Sequence, residues 1–269
     1  MLENFGEFKY GYNELTNMDS KHQNMLMDIG IQKMKDKDTV TFSDDKKETV
    51  LLLLKGSISF NWAGNSKTAV RNSLFDENPF ALHVPKGVDV AIKASDETEL
   101  LIQKTTNDNV FDPVFYNQED VQSSVFGEGV WNDTARRLVR VVIDYANAPY
   151  SNLVIGEVIN FPGKWSSYIP HGHEQPEVYF YKFDKEQGFG AGFIGDDVYK
   201  INHNSILCIQ GGPSHPQVAA PGYAMHYCWL IRHLDNNPWI SRNNEVQHEW
   251  LLEKDVKIWP ENHGTVVKI

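Results

Sequence analysis

The chain has 269 residues, a formal net charge of -11, and 41% apolar and 12% aromatic residues. That charge repels phosphate backbones and anionic lipid, and no Lys/Arg run overrides it locally, so nucleic acid and membrane surfaces are excluded as partners. The aromatic content excludes disorder. Residues 1–12 are polar and acidic and no run of about 18 apolar residues occurs, so a cytoplasmic protein is expected.

Helix signals are scarce, the best being the short stretch 21–27. Strand signals then recur at 49–54, 57–62, 81–84, 88–92 and 100–103. After a polar joint at 105–137 they resume at 138–145, 154–161, 178–183, 205–209 and 227–231. Short β-rich runs between Gly, Pro, Asn and Asp clusters predict an all-β sandwich or barrel rather than alternating βα units. The two groups also resemble one another. Glu48-Thr49-Val50-Leu51 followed by Val84-Pro85-Lys86-Gly87 has its counterpart in Glu177-Val178-Tyr179-Phe180 followed by Ile209-Gln210-Gly211-Gly212. Two related halves are therefore expected, residues 1–105 and 106–269.

Chemistry concentrates in the second half. His171-Gly172-His173 places two imidazoles on one face if 166–173 is a strand, Glu177 follows, and His215 closes Gly212-Pro213-Ser214-His215. Three nitrogens and a carboxylate suit a divalent transition metal. A His-x-His pair alone would be weak evidence among ten histidines; the added Glu and the Gly-x-x-His strengthen it. In the first half Val90 stands where the second has His215, and no His-x-His precedes Glu48, so that half is expected to be a barrel without metal, burying the other's sheet face and available for a homo-oligomer contact. Cys208 and Cys228 sit in apolar runs and read as small buried hydrophobes. His226 and His233 flank the last apolar strand and read as supporting or surface groups; His22, His83, His203, His248 and His263 carry no partner pattern.

The spacing His-x-His-x3-Glu with a later Gly-x-x-His resembles the two cupin motifs, which implies two jelly-roll barrels in one chain, a bicupin. A longer stretch resembles the 5-deoxy-glucuronate isomerase family of inositol catabolism, related to the 5-keto-4-deoxyuronate isomerases. It runs through Arg136-Arg137-Leu138-Val139-Arg140, Gly156-Glu157-Val158-Ile159-Asn160, Pro162 to His173, Glu177 to Tyr181 and Gln247-His248-Glu249-Trp250, with Ser73-Leu74-Phe75-Asp76 in the first half. Gln210 stands where cupins carry Pro, and Lys182 where the family pattern leads one to expect Arg.

The resemblance implies an aldose–ketose isomerase acting on a sugar acid, with Zn, Mn, Fe or Ni held by His171, His173, Glu177 and His215 and acting as a Lewis acid on the carbonyl. Such a reaction needs a general base. Glu174 is one candidate if a turn at Gln175-Pro176 redirects it; Tyr179 and Tyr181 share the parity of Glu177 and are expected to face the same space. Lys182 and Arg140 are candidates to pair the substrate carboxylate. The alternatives are a cupin dioxygenase, favoured by an apolar cavity, and a non-catalytic sugar-sensing cupin.

Overall fold

The computed structural model describes residues 1–259, so His263 lies outside the described residues. A nine-stranded sheet organises the first half. Its longest member, Lys47–Trp62, merges the predicted strands 49–54 and 57–62. The upstream part pairs with Ala81–Val84 and Thr98–Thr106, the downstream part with Asn65–Arg71 and Val90–Ala94. The strand turns the corner at a register shift between Leu53 and Lys55 and at Gly56, whose φ is 115°. A Cβ there would come within 2.3 Å of Thr98 Oγ1, so only glycine fits the bend.

In the second half a seven-stranded antiparallel sheet runs in the order Leu2–Asn4, Ser205–Ile209, Glu177–Phe183, Met225–Arg232, Leu153–Asn160, Arg137–Ile143, Gln122–Phe126. Its first strand comes from the chain's own start: Leu2 lies opposite Leu207. A four-stranded sheet of Trp165–Ser166, Gln217–Ala219, Phe189–Ile194 and Asp197–Asn202 completes this half.

Period-two alternation sorts these strands into three apolar layers. Leu51, Leu53, Phe60, Ile92 and Leu100 fill the interior of the first half. Tyr179, Tyr181, Leu207, Tyr227 and Trp229 line that of the second. Their neighbours Val50, Leu52, Ile29 and Leu101 on one side and Val178, Phe180, Ile206 and Leu230 on the other meet in a shared central layer. Each such side chain contributes about 1.5–3 kcal/mol by burial, so the central layer ties the halves into one cooperative body. Cys208 and Cys228 are free thiols in this layer.

A charged cluster is buried there too. Glu157 accepts from Arg71 Nη1 at 2.7 Å, Arg71 Nη2 at 2.8 Å and Arg140 Nη1 at 2.9 Å. Arg140 also donates to the carbonyls of Leu74 at 2.7 Å and Phe75 at 3.1 Å, joining the second half to the first.

Several local expectations are corrected. Of the helical stretch 21–27, only Gln23–Met25 forms a 3-10 turn, and Asp28–Met34 is a strand, with Met25, Met27, Ile29 and Ile31 entering the central apolar layer at every second position. The stretch 166–173 is not one strand. Trp165–Ser166 pairs with Gln217–Ala219, the chain bends, and His171–Gly172 pairs separately with Asn243–Asn244. Pro170, which has no N–H for a ladder, sits at the break. In the repeat, Thr49 lies opposite Val84 as Glu177 lies opposite Ile209, so Glu48 and Glu177 point to different faces. Glu48 is satisfied in the central layer by His83 at 2.7 Å, Ser151 at 2.9 Å, Asn107 at 3.0 Å and the Asn152 amide at 2.7 Å.

Candidate metal centre

Glu177, at the start of its strand, points into the second half's interior, where His173 Nε2 lies 3.2 Å and His215 Nε2 3.1 Å from its Oε2. His171 and His215 have ring centres 5.7 Å apart, and His173 and His215 5.1 Å. The ligand atoms of His173, Glu177 and His215 lie within 4.8 Å of one another; His171 lines the same cavity a little farther out. The loops that carry them touch backbone to backbone: the Gly212 amide donates to the His173 carbonyl at 2.7 Å. A Cβ on Gly172 would sit 2.3 Å from the Gly212 carbonyl, which is why glycine separates the two histidines.

Each imidazole is oriented by a carbonyl two residues away. Nδ1–H of His171 donates to Ile169 O at 2.7 Å, that of His173 to Gln175 O at 3.0 Å, and that of His215 to Pro213 O at 2.9 Å. These bonds turn Nε2 of each ring inward. In the neutral rings, Nε2 lone pairs then face a carboxylate oxygen, acceptor against acceptor, unless a cation or proton stands between them. The donor set fits a divalent transition metal on this ground. Charges agree. Burial alone would raise Glu177, but the hydrogen bonds from His173 and His215 hold it down at about 2. Burial and the nearby Arg242 charge lower His171 to about 3, leaving it neutral. Burial opposes protonation of His215, yet its bond to Glu177 and that residue's charge outweigh burial and raise it.

The ligand cluster lies at one wall of a cavity of about 170 Å³. Val139, Val141, Val158, Trp229 and Trp239 form its apolar walls, and Ser167, Tyr179, Tyr227, Arg137 and Arg242 its polar points. Tyr179 is buried, which drives its hydroxyl well above the ordinary phenol range, and it lies 3.3 Å from Ser167 Oγ. Tyr181 is on the same side of the strand but deeper, and its hydroxyl donates to Gln217 Oε1 at 2.6 Å. Glu174 is exposed, and its carboxylate accepts from Asn237 Nδ2 at 2.5 Å. Lys182 falls on the opposite strand face, paired with Glu99 at 2.7 Å and Asn204 at 2.9 Å. Arg140 is in the central charged cluster. Of the residues expected to meet substrate, the structure brings Tyr179 to the cavity and places Tyr181, Glu174, Lys182 and Arg140 elsewhere.

Arg137 and Arg242 were not anticipated. For Arg137 a signal existed: it shares parity with Val139 and Val141 on Arg137–Ile143, whereas Arg140 shares parity with Val142 of the central layer. For Arg242 none existed, since its place depends on a strand pairing distant in sequence. Glu157, His226 and Cys228 form a second group of potential ligand atoms, but two guanidinium groups on Glu157 oppose a cation there.

Two β-sheet halves sharing a core, with a histidine-rich pocket in one of them, define a bicupin. Solved structures agree on the fold. An IolB-like protein from Salmonella typhimurium superposes with a TM-score of 0.83 at 18% identity, covering 94% of this chain and 99% of that one. The oxalate decarboxylase formate complex of Lactobacillus farciminis gives 0.67 at 12% identity, covering 99% and 95%. The chain belongs to the KduI/IolB family, whose model matches residues 2–251. Among its relatives, the 5-deoxy-glucuronate isomerase of Geobacillus thermodenitrificans is 23% identical over 225 residues, 77% of this chain and 79% of the relative. That of Listeria monocytogenes is 27% identical over 135 residues, covering 45% and 48%. No helix among the described residues is long and apolar enough to cross a membrane.

Proposed function

We propose that this chain is a metal-dependent aldose–ketose isomerase that converts 5-deoxy-glucuronate to 2-deoxy-5-keto-gluconate in inositol catabolism, in the cytoplasm. The isomerase class follows from its family and relatives. The observation that carries the metal dependence is the convergence of His173, Glu177 and His215, with His171 beside them, each imidazole oriented through Nδ1.

In this reaction the hydrogen at C2 leaves as a proton, a proton is delivered to C1, and the hydroxyl proton of C2 is replaced by one on the C1 oxygen. A divalent metal, when bound by the four ligands, supplies Lewis-acid polarisation of the carbonyl. Tyr179 reaches the cavity with its hydroxyl and is suited to donate to a sugar oxygen there, held by Ser167. Val139, Val141, Val158, Trp229 and Trp239 keep bulk water from the reacting carbons, which strengthens every charge interaction inside.

The apolar walls also supply an observation for a second reading, a metal-dependent dioxygenase. Arg137 counts against it, because an apolar substrate would leave this buried guanidinium group unmatched beside the cavity. Incubating the purified, metal-bearing protein with 5-deoxy-glucuronate and following the carbon resonances by NMR tests the proposal. The ketone signal of the product, at the carbon that is C2 of the substrate, is expected to grow as the aldehyde hydrate disappears. A protein that carries metal and leaves the sugar unchanged would refute this substrate.

A further inference from the structure

Two cations, Arg137 and Arg242, line the cavity. Arg137 opens the strand Arg137–Ile143 and shares a face with Val139 and Val141. Arg242 precedes Asn243–Asn244, the two residues that pair with His171–Gly172, so the returning chain lays it beside the ligand cluster. The same returning segment is pinned at Glu245, whose amide donates to Pro170 O at 2.9 Å and whose carboxylate accepts from Ser214. Arg242 thus stands next to a strap fastened to both ligand-bearing loops.

Arg137 is buried and held. Its Nη1 donates to Ala135 O at 2.9 Å, its Nη2 reaches Tyr168 O at 3.5 Å, and its guanidinium lies 5.6 Å from the centre of the Phe126 ring. Those contacts engage two of five N–H groups and neutralise none of the charge. Among the described residues the arginine ion pairs are made by Arg71, Arg136, Arg140 and Arg232, not by Arg137 or Arg242. The cavity's one carboxylate, Glu177, is already taken by His173 and His215. Burial lowers the affinity of Arg137 for its proton, Tyr227 opposes this, and the like charge of Arg242 adds to the lowering. A buried cation beside a second cation without a protein counter-charge is an unfavourable arrangement that an anionic ligand relieves.

We propose that Arg137 and Arg242 form the carboxylate subsite of the cavity and select sugar acids over neutral sugars. This rests on the sugar-acid reading above. Planar, permanently charged guanidinium groups suit the two oxygens of a carboxylate, which Lys182, directed away to Glu99, cannot reach. Selectivity then arises because a neutral substrate leaves the buried Arg137 charge unmatched, whereas an acid matches it and also meets the exposed Arg242 at the cavity edge.

The test uses the metal-bearing protein and two pairs of probes. The reacting pair is 5-deoxy-glucuronate and 5-deoxy-glucose, which carries CH2OH in place of the carboxylate. The second pair cannot isomerise: the alditol acid made by reducing C1 of 5-deoxy-glucuronate, and its neutral alditol. For Arg137→Gln and Arg242→Gln, the kcat/KM ratio of acid to neutral sugar is expected to fall about 10- to 100-fold each, and the Kd ratio of the two alditols to fall in parallel by calorimetry. Arg137→Lys, which keeps the charge without the two-pronged contact, should recover part of the preference. Equal losses on acid and neutral probes, or a wild type that binds both alditols alike, would overturn the subsite. A wild type that binds the alditol acid selectively but leaves 5-deoxy-glucuronate unchanged would uphold the subsite and refute the isomerase reading.

Discussion

Glu157 is fully buried between two guanidinium groups, so Glu157→Gln keeps the shape and removes the charge that both arginines require. Three charged hydrogen bonds, from Arg71 at 2.7 and 2.8 Å and Arg140 at 2.9 Å, lose their ionic partner together. Breaking a buried pair by removing one charge costs about 3–5 kcal/mol, chiefly because the remaining charge stays desolvated. The shared central layer makes the 269-residue chain unfold as one body, with an unfolding entropy of about 0.56 kcal/mol/K at about 2.1 cal/mol/K per residue. The expected fall in Tm is therefore about 5–9 °C by scanning calorimetry at pH 7.

A pH series sharpens the reasoning. Burial would raise the Glu157 carboxyl, but the charges of Arg71 and His226 outweigh it and hold it far below the usual carboxylate range. Its contribution is thus complete above the unfolded value of about 4.3 and lost as pH falls from there toward the folded value. The gap in Tm between wild type and Glu157→Gln should narrow between about pH 4.5 and pH 2. A Tm change under about 2 °C at pH 7, or a gap that widens in acid, would refute this account of how the halves are joined.

Metal analysis of wild type is expected to return one divalent transition ion per chain, and His171→Ala, His173→Ala, Glu177→Ala and His215→Ala should each lose occupancy; full loading of His173→Ala and His215→Ala would refute the ligand set. Running the isomerisation in deuterated water should place deuterium on the CH2OH carbon beside the new ketone, the substrate's C1, whereas complete absence of label would favour a direct hydride shift over a proton relay. Tyr179→Phe should lower kcat about 10²-fold with metal retained, and Glu174→Gln, exposed and bonded to Asn237, should stay within about twofold. The reverse order would make Glu174 the base.

Much of this could be read from residue types and local period. Side-chain parity on Glu177–Phe183 assigns Glu177, Tyr179 and Tyr181 to the interior, and the same rule applied to Lys182 and Arg140 directs both to the opposite layer, where the structure has them. His-x-His, Glu and the later His were legible because chelation needs particular atoms at short spacing. The β class and the family resemblance were legible as well. Tertiary structure alone decided the rest. That Leu2–Asn4 completes the sheet of the second half, that Arg71 meets Glu157 across 86 positions, and that Asn243–Asn244 brings Arg242 to the histidines all depend on pairings between distant segments. Backbone ladders pair any residue types, so no side-chain pattern within a strand records which remote strand its N–H and C=O groups will meet. The parity of a side chain is local information, whereas the neighbour it finds there is set by packing of the whole chain.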